Sequence, residues 1–357
     1  MKKCMSLLLV MTVLLSFAAC GQVDKSEKAT LATTEVTVPV TGETALEATV
    51  VPSYYPVVLT DHAGRELVIR EEPQKLVSCY YITTSLLMAL NLDEKMVGIE
   101  NEPELRPIYN LSNPGLLELP WVGTAKTLDL EACAALEPDL VILPLRLRDA
   151  APLLEDLGID VLLVNPESQE LLTEMIRMVA TACNRMEEAE ALLTFLSEQE
   201  TYLNSLLTGM DTPKVYLSGN SNFLSTAGSA MYQADMISLA GGRNVAEEIP
   251  DIYWAEIDYE QLLAWDPDYI IMASSAKYTV DDVLNDPNLA DCTAVVNGNV
   301  YQIPADAESW DSPVPGSILG ALWLANILHP EQLTDIDCNT IIDDYYETFY
   351  HFTYSKN

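Results

Sequence analysis

Arginine and aromatic side chains recur in the predicted loops of this 357-residue sequence. Arg146 and Arg148 stand two residues apart, so both would point to one side of an extended loop. Guanidinium groups make forked hydrogen bonds to oxygen anions, and aromatic rings offer flat apolar faces. The candidate ligand-binding residues are Tyr80, Tyr81, Trp121, Arg146, Arg148, Asn220, Phe223, Trp254, Tyr278, Glu308 and Trp310. This set suits an anionic or π-rich chelate, in which the metal is already coordinated by its chelator when it reaches the protein.

Several of these residues have a structural alternative. Tyr80 and Tyr81 are adjacent, so alternation along a strand sends one of them into the core. Surface solvation is the alternative for the two arginines. Trp310 follows Glu308 in a loop and is the aromatic residue that we most expect to contact the ligand.

Composition argues against several classes of site. The three histidines, at positions 62, 329 and 351, are far apart, which disfavours a His-rich site for a bare metal ion. The seven cysteines include no CxxC pair and do not indicate a disulfide framework. The motifs GxSxG, HExxH, GxGxxG and the P-loop are absent, so we predict no enzyme. An enzyme or a surface adhesin on the same scaffold is the remote alternative.

The chain is strongly acidic, with 54 acidic against 18 basic residues and a formal charge of -36. That charge repels nucleic acid and anionic lipid headgroups. We expect a monomer that binds neither nucleic acid nor anionic lipid headgroups.

The N-terminus reads as a targeting segment. Lys2 and Lys3 precede an apolar run from Ser6 to Phe17 that is too short to span a bilayer. The run ends in Ala-Ala-Cys and resembles a bacterial lipobox, which makes residues 1–19 a signal peptide and Cys20 the lipidated residue. Cleavage after Ala18 by signal peptidase I is the alternative. Residues 20–54 are predicted to form a flexible tether, so the protein would lie on the extracytoplasmic face of the cell membrane.

A repeated segment defines the predicted architecture. Residues 128–142 (LDLEACAALEPDLVI) and 257–271 (IDYEQLLAWDPDYII) align without a gap. In each, an aspartate can cap a helix, a proline ends it, and an apolar strand follows. Two copies in register predict two α/β lobes built on one plan.

The predicted domains follow from these repeats. Residues 55–167 form the N-terminal lobe, and residues 211–357 form the C-terminal lobe with terminal helices. Residues 168–208 contain no glycine or proline and are apolar at helical spacing. Within the linking segment 168–210, Asn184 would divide two helices, and the second would be about 30 Å long. We expect that helix to join the lobes.

The chain from about Val57 to its end resembles the substrate-binding proteins of the iron-siderophore and cobalamin type, the partners of ABC importers. The similarity rests on DHAGREL, VGTAKTLDLEACAALEPDLVI, LSTAGSAMYQADMISLAGGRNVA, NVYQIP and SWDSPVPGSILGALWLANILHPE. It implies two Rossmann-like lobes joined by one rigid helix, a ligand in the cleft between them, and a lipid anchor. It also implies partnership with an ABC permease dimer and its ATPase, and no covalent cofactor.

The resemblance further implies roles for particular residues and a ligand class. Glu131 and Glu260 hold equivalent positions in the repeats and would dock into arginine pockets of the permease. The alternative is that each is a first-turn glutamate that favours the helix dipole. A ferric siderophore is the expected ligand, and a corrinoid (cobalamin) or haem is the alternative.

Overall fold

The computed structural model describes residues 54–250, 254–334 and 336–356. The predicted signal peptide (1–19), Cys20 and the tether up to residue 53 lie outside these ranges. The strands are β1 (Val57–Thr60), β2 (Glu66–Ile69), β3 (Leu76–Ser78), β4 (Met96–Gly98), β5 (Gly123–Thr124), β6 (Thr127–Leu128), β7 (Leu140–Pro144), β8 (Asp160–Val164), β9 (Lys214–Ser218), β10 (Ser225–Thr226), β11 (Arg243–Asn244), β12 (Ala255–Glu256), β13 (Tyr269–Met272) and β14 (Val300–Gln302).

The α-helices alternate with these strands over most of the chain. They are α1 (Tyr81–Ala89), α2 (Pro107–Ser112), α3 (Leu130–Ala135), α4 (Ala151–Glu155), α5 (Gln169–Cys183), α6 (Met186–Leu207), α7 (Tyr232–Leu239), α8 (Tyr259–Trp265), α9 (Val280–Leu284), α10 (Thr293–Val296), α11 (Ser317–Leu328) and α12 (Cys338–Tyr350). Within the described ranges, every helix is too short or too polar to cross a bilayer.

Two separate sheets form the centres of two lobes. The first has the strand order β4-β3-β7-β8, and its neighbouring strands are all parallel. The second has the order β12-β10-β9-β13-β14, with β11 also paired to β9. In the second sheet β9, β13 and β14 run parallel, whereas β10 pairs antiparallel with both β9 and β12. The prediction of a two-lobed α/β protein is confirmed.

The repeated segments adopt the same structure in both lobes. Asp129 caps α3 by accepting a 2.9 Å hydrogen bond from the Ala132 N–H, and Asp258 caps α8 through the Gln261 N–H at 2.8 Å. Such caps satisfy backbone donors that have no partner in the first turn of a helix. Both predicted caps are therefore observed.

The two repeats also share a contact that the sequence did not indicate. The Asp139 carboxylate accepts a 2.9 Å hydrogen bond from the Lys75 N–H, just before β3. Asp268 accepts the equivalent 2.8 Å bond from the Lys214 N–H, at the start of β9. In each lobe, the aspartate that follows the proline fixes the start of the neighbouring parallel strand.

The helices α5 and α6 connect the lobes. Asn184 separates them in a left-handed conformation with φ of +55°, as its predicted position between two helices requires. The first helix, α5, packs against β1 of the N-terminal lobe, while α6 packs against α7 and α11 of the C-terminal lobe. With 22 residues, α6 is about 33 Å long.

The last helix covers the centre of the molecule with aromatic side chains. It begins at Cys338, where Asp337 caps it by accepting a hydrogen bond from the Thr340 N–H. The rings of its inward face pack on one another and on Phe195 of α6. The C-terminal segment thus belongs to the core.

Candidate functional site

The carboxyl ends of the parallel strands in both lobes face one crevice, called the cleft below. Loops after β3, β4, β7 and β8 enter it from the N-terminal lobe, and loops after β13 and β14 enter it from the C-terminal lobe. Open α/β sheets bind their ligands at this position. Two cavities lie along the cleft, and each is lined by residues of both lobes.

The first, called the Arg106 cavity, encloses about 410 Å³ including its mouth. Arg106 stands on one wall, and its guanidinium carbon lies 3.9 Å from the centre of the Tyr81 ring. This cation–π contact uses the flat face of the guanidinium group, so the N–H groups at its edge can still donate hydrogen bonds. The polar residues that line the cavity are Tyr81, Ser85, Arg106, Tyr109, Ser275, Glu308 and Ser309.

The second, called the Arg146 cavity, encloses about 800 Å³ including its mouth. It is lined by Leu145, Arg146, Arg148, Asn165, Glu167, Ser168, Leu171 and Ala230. Arg146 lies 3.9 Å from the Glu167 carboxylate, at the outer limit of an ion pair. The predicted extended loop is a short 3-10 helix, Leu145–Ala150, yet Arg146 and Arg148 still line the same cavity.

The lobes touch directly across the cleft. The Tyr81 hydroxyl donates a 2.8 Å hydrogen bond to Ser312, and the Ile108 N–H donates a 3.2 Å bond to the Ala307 carbonyl. The Ser85 hydroxyl donates to the Glu308 carboxyl group. Residues 307–312 therefore form one part of the C-terminal lobe that meets the N-terminal lobe.

The arginines of the cleft are mostly not paired with acidic side chains of the described residues. Within the part of the chain that the structure describes, Arg106 and Arg148 form no ion pair. Arg146 has only its long contact with Glu167. In a chain with three times as many acidic as basic residues, three arginines at one cleft are a local concentration of positive charge. They define a site suited to an anion.

Two buried carboxyl groups lie beside the Arg106 cavity. Burial raises the pKa of Glu308 to about 7, against the opposing effect of its hydrogen bond from Ser85. Its Oε2 atom is buried and has no hydrogen-bond partner among the described residues. Burial also raises the pKa of Glu100, which accepts hydrogen bonds from Thr84 at 2.7 Å and from Tyr109.

The structure places four of the predicted ligand-binding residues in the cavities: Tyr81, Glu308, Arg146 and Arg148. It corrects Trp310, whose side chain is 2% exposed. The Trp310 indole N–H donates a 2.9 Å hydrogen bond to Tyr346, so Trp310 packs in the core and lies outside both cavity walls, although the sequence predicts that it faces the ligand. Of the adjacent tyrosines, Tyr80 is the core residue, at 7% exposure.

The remaining predicted residues lie outside both cavity walls. Phe223 and Tyr278 pack on each other with ring centres 5.8 Å apart, and the Tyr278 hydroxyl donates inward to Ser218. Trp254 packs against Gly219 at the end of β9, and Trp121 is 47% exposed at the end of β4. Asn220 follows Gly219, and its side-chain oxygen is buried without a partner among the described residues.

Sequence reasoning missed Arg106, Ser85 and Glu167. Arg106 follows the strand β4, so the rule that ligands bind beyond strand carboxyl ends could have selected it. Ser85 lies in the first turns of α1, where helical apolar periodicity hides a cleft-facing hydroxyl. The signal for Glu167 is weaker, because acidic residues are abundant in this chain.

Metal-binding side chains do not cluster in the described ranges. No group of three or more His, Cys, Asp or Glu residues there is arranged to hold a metal ion. The polar cavity walls carry guanidinium and hydroxyl donors instead. Such walls can grip the oxygen atoms of an anion.

The family of periplasmic binding proteins matches residues 76–307, and the chain belongs to it. This is the class of solute-binding proteins that serve ABC importers, and its members are transport proteins rather than enzymes. The resemblance found in the sequence is confirmed at that level.

Particular relatives bind different solutes. The chain is 23% identical over 329 residues to the molybdate-binding protein MolA of Haemophilus influenzae, covering 84% of this chain and 92% of MolA. It is 27% identical over 222 residues to the vitamin B12-binding protein of Salmonella choleraesuis, covering 62% and 80%. Among solved structures, MolA bound to molybdate matches with a TM-score of 0.74 at 22% identity, over 84% of this chain and 99% of that one. Helicobacter pylori CeuE with bound Ni(II) matches with a TM-score of 0.74 at 21% identity, over 84% and 98%.

Proposed function

We propose that this protein captures an anionic metal chelate of the iron-siderophore type in its cleft and delivers it to an ABC permease with its ATPase. One observation carries the proposal: Arg106, Arg146 and Arg148 face the two cavities of the cleft, and among the described residues Arg146 alone of the three has an acidic partner within ion-pair distance. An acidic protein that binds an anion needs such a local concentration of cations. Arginine also supplies forked donors that match carboxylate, catecholate and hydroxamate oxygens.

A metal oxyanion is the second candidate solute. The Arg106 cavity is small, and hydroxyl donors from both lobes stand near its guanidinium group. A compact tetrahedral anion could be surrounded there by charged and neutral donors, and one relative is a molybdate-binding protein. A corrinoid or haem remains the alternative that the relatives' names support. A planar macrocycle could stack on an exposed indole ring, but Trp310 is buried and does not offer that surface.

Native mass spectrometry of the ligand-free protein tests this proposal. The panel contains an iron(III) tris-catecholate, an iron(III) hydroxamate, molybdate, cyanocobalamin and haemin. We expect a one-to-one complex with an anionic iron chelate. If molybdate alone formed a complex, the proposed solute would be the oxyanion and not the iron chelate. Binding of cyanocobalamin alone, or of nothing in the panel, would contradict capture of an anion.

We further propose that residues 55–167 and 211–357 act as the two lobes around the linking segment 168–210, and that the protein is anchored through lipid on Cys20. Cys20 follows the apolar segment directly, as lipid attachment after signal cleavage requires. Metabolic labelling with a fatty acid tests the anchor. We expect label on the wild type and none on Cys20→Ala; label that persists in the variant would contradict it.

A further inference from the structure

Glu308 is the acidic residue in the wall of the Arg106 cavity. It lies on the segment where the lobes meet, and its side chain is buried. One carboxyl oxygen accepts the hydrogen bond from Ser85 of the opposite lobe, with the Tyr350 hydroxyl at 3.4 Å. The other carboxyl oxygen is buried without a partner among the described residues. An anion in this cavity therefore meets Arg106 and a buried carboxyl group together.

A buried carboxylate without a cation beside it is costly, and a second anion in the same cavity adds repulsion. Protonation removes both costs. A neutral carboxyl group also carries an O–H donor in place of a charge. We infer, building on the proposed function, that binding of an anionic solute in this cavity is coupled to protonation of Glu308. The solute is captured together with one proton, and Glu308 holds that proton while the solute is bound.

Glu308 is the group that we expect to bind the proton, and the titratable groups around it must be compared with it. Tyr81 and Tyr109 line the cavity, and Tyr345, Tyr346 and Tyr350 of α12 pack behind the carboxyl group. Burial raises the pKa of each of these five hydroxyl groups, so all stay neutral.

Three charged or acidic side chains complete these surroundings. Burial also raises the pKa of Glu100 beside the cavity, but both of its carboxyl oxygens accept hydrogen bonds, one from Thr84 and one from Tyr109. Arg106 is the cation in the wall of the cavity. Asp311, on the same segment as Glu308, lies outside that wall, and burial raises its pKa as well. One of its carboxyl oxygens accepts a 3.2 Å hydrogen bond from the Ser274 N–H, and the other has no partner among the described residues. The pKa of Glu308 itself, raised by burial to about 7, puts its protonation within the neutral range.

Isothermal titration calorimetry of the full chain tests the inference. The probes are molybdate and an iron(III) tris-catecholate, which stay anionic across the pH range used. Each is titrated in two buffers of different ionisation enthalpy, from about pH 6 to about pH 9. In the wild type we expect uptake of about one proton per bound anion at the alkaline end, with affinity falling by up to about tenfold per pH unit above neutrality.

The isosteric variant Glu308→Gln should take up no proton and keep one affinity across the range. Near pH 8.5 it should bind up to about 30-fold more tightly than the wild type, because its side chain is always neutral. Asp160→Asn is the matched control, since Asp160 is a half-buried carboxyl group outside both cavities whose pKa is raised by burial. It should bind with the same proton uptake as the wild type.

The outcomes separate the inference from the proposed function. Anion binding by the wild type without proton uptake would overturn the role of Glu308 and leave anion capture standing. Proton uptake that persists in Glu308→Gln would assign the proton to another group and would also overturn that role. Failure of both probes to bind at every pH would overturn the proposed function and, with it, the inference.

Discussion

Trp310 donates the hydrogen bond from its indole N–H to the hydroxyl group of Tyr346, across 2.9 Å in the interior of the protein. The Tyr354 ring lies against both side chains, with ring centres 5.8 Å from Trp310 and 5.4 Å from Tyr346. A tryptophan held in this way fills core volume and satisfies its own donor. Its contribution is to stability.

Replacement of Trp310 should therefore change folding and leave binding intact. Trp310→Ala should lower the free energy of unfolding by about 3–5 kcal/mol, because a large buried ring is lost and a cavity remains. Denaturant unfolding followed by circular dichroism measures this change. The exposed Trp121 is the matched control, and Trp121→Ala should cost less than about 0.5 kcal/mol. A stable Trp310→Ala variant with weakened ligand affinity would contradict this assignment.

The fold was predictable because its signals are local and repeated. Caps at Asp129 and Asp258, prolines after the helices and apolar strands each depend on a few neighbouring residues. The burial of Trp310 depends instead on α12, which follows it by about thirty residues and covers it with aromatic rings. A loop position alone says nothing about which later element packs over it.

The site was predictable in part for the same reason. Tyr81, Arg146 and Arg148 follow predicted strands, and the strand-end rule placed them correctly. Arg106 also follows a strand, β4, but a longer loop of polar residues separates the two. Contacts between lobes, such as that of Ser85 with Glu308, join residues more than two hundred positions apart, and no local pattern indicates them.

The raised pKa of Glu308 predicts a pH dependence of stability. The folded chain holds the proton up to about pH 7, whereas an unfolded glutamate releases it near 4.5. The stabilisation is complete below the unfolded value and is lost as pH rises through the folded one. The loss across this window should amount to roughly 3 kcal/mol.

Urea unfolding at pH 5 and pH 8 measures this loss, with Glu308→Gln as the reference because it cannot titrate. The wild type should become less stable relative to the variant as the pH rises. Asp149→Asn, at an exposed carboxyl group, should track the wild type at both pH values. A wild-type to Glu308→Gln difference that stays constant with pH would refute the buried, proton-holding carboxyl group.

The proposed docking of Glu131 and Glu260 can be separated from ligand capture. Both glutamates are exposed in the first turns of α3 and α8, at equivalent positions of the two lobes. Replacing both by alanine should lower uptake by at least about tenfold in proteoliposomes with the cognate permease, because two charge contacts with the partner are lost. Ligand affinity in solution should not change.

A control for that experiment uses first-turn glutamates elsewhere. Glu170 and Glu187 are exposed in the first turns of α5 and α6, so their replacement removes the same helix-dipole interaction. The control pair should transport normally. Full uptake by the Glu131→Ala/Glu260→Ala protein would rule out docking through these two residues.

The most direct test of anion capture in the cleft is calorimetric titration of the double variant Arg106→Ala/Arg146→Ala with the anion that binds the wild type. Each lost charged hydrogen bond should cost about 1.5–3 kcal/mol, so the affinity should fall by at least about 100-fold. The matched variant Arg177→Ala/Arg243→Ala removes two exposed arginines, paired with Glu190 and Glu247 outside both cavities, and should bind like the wild type. Wild-type affinity in the Arg106→Ala/Arg146→Ala protein would show that the anion does not bind between the lobes.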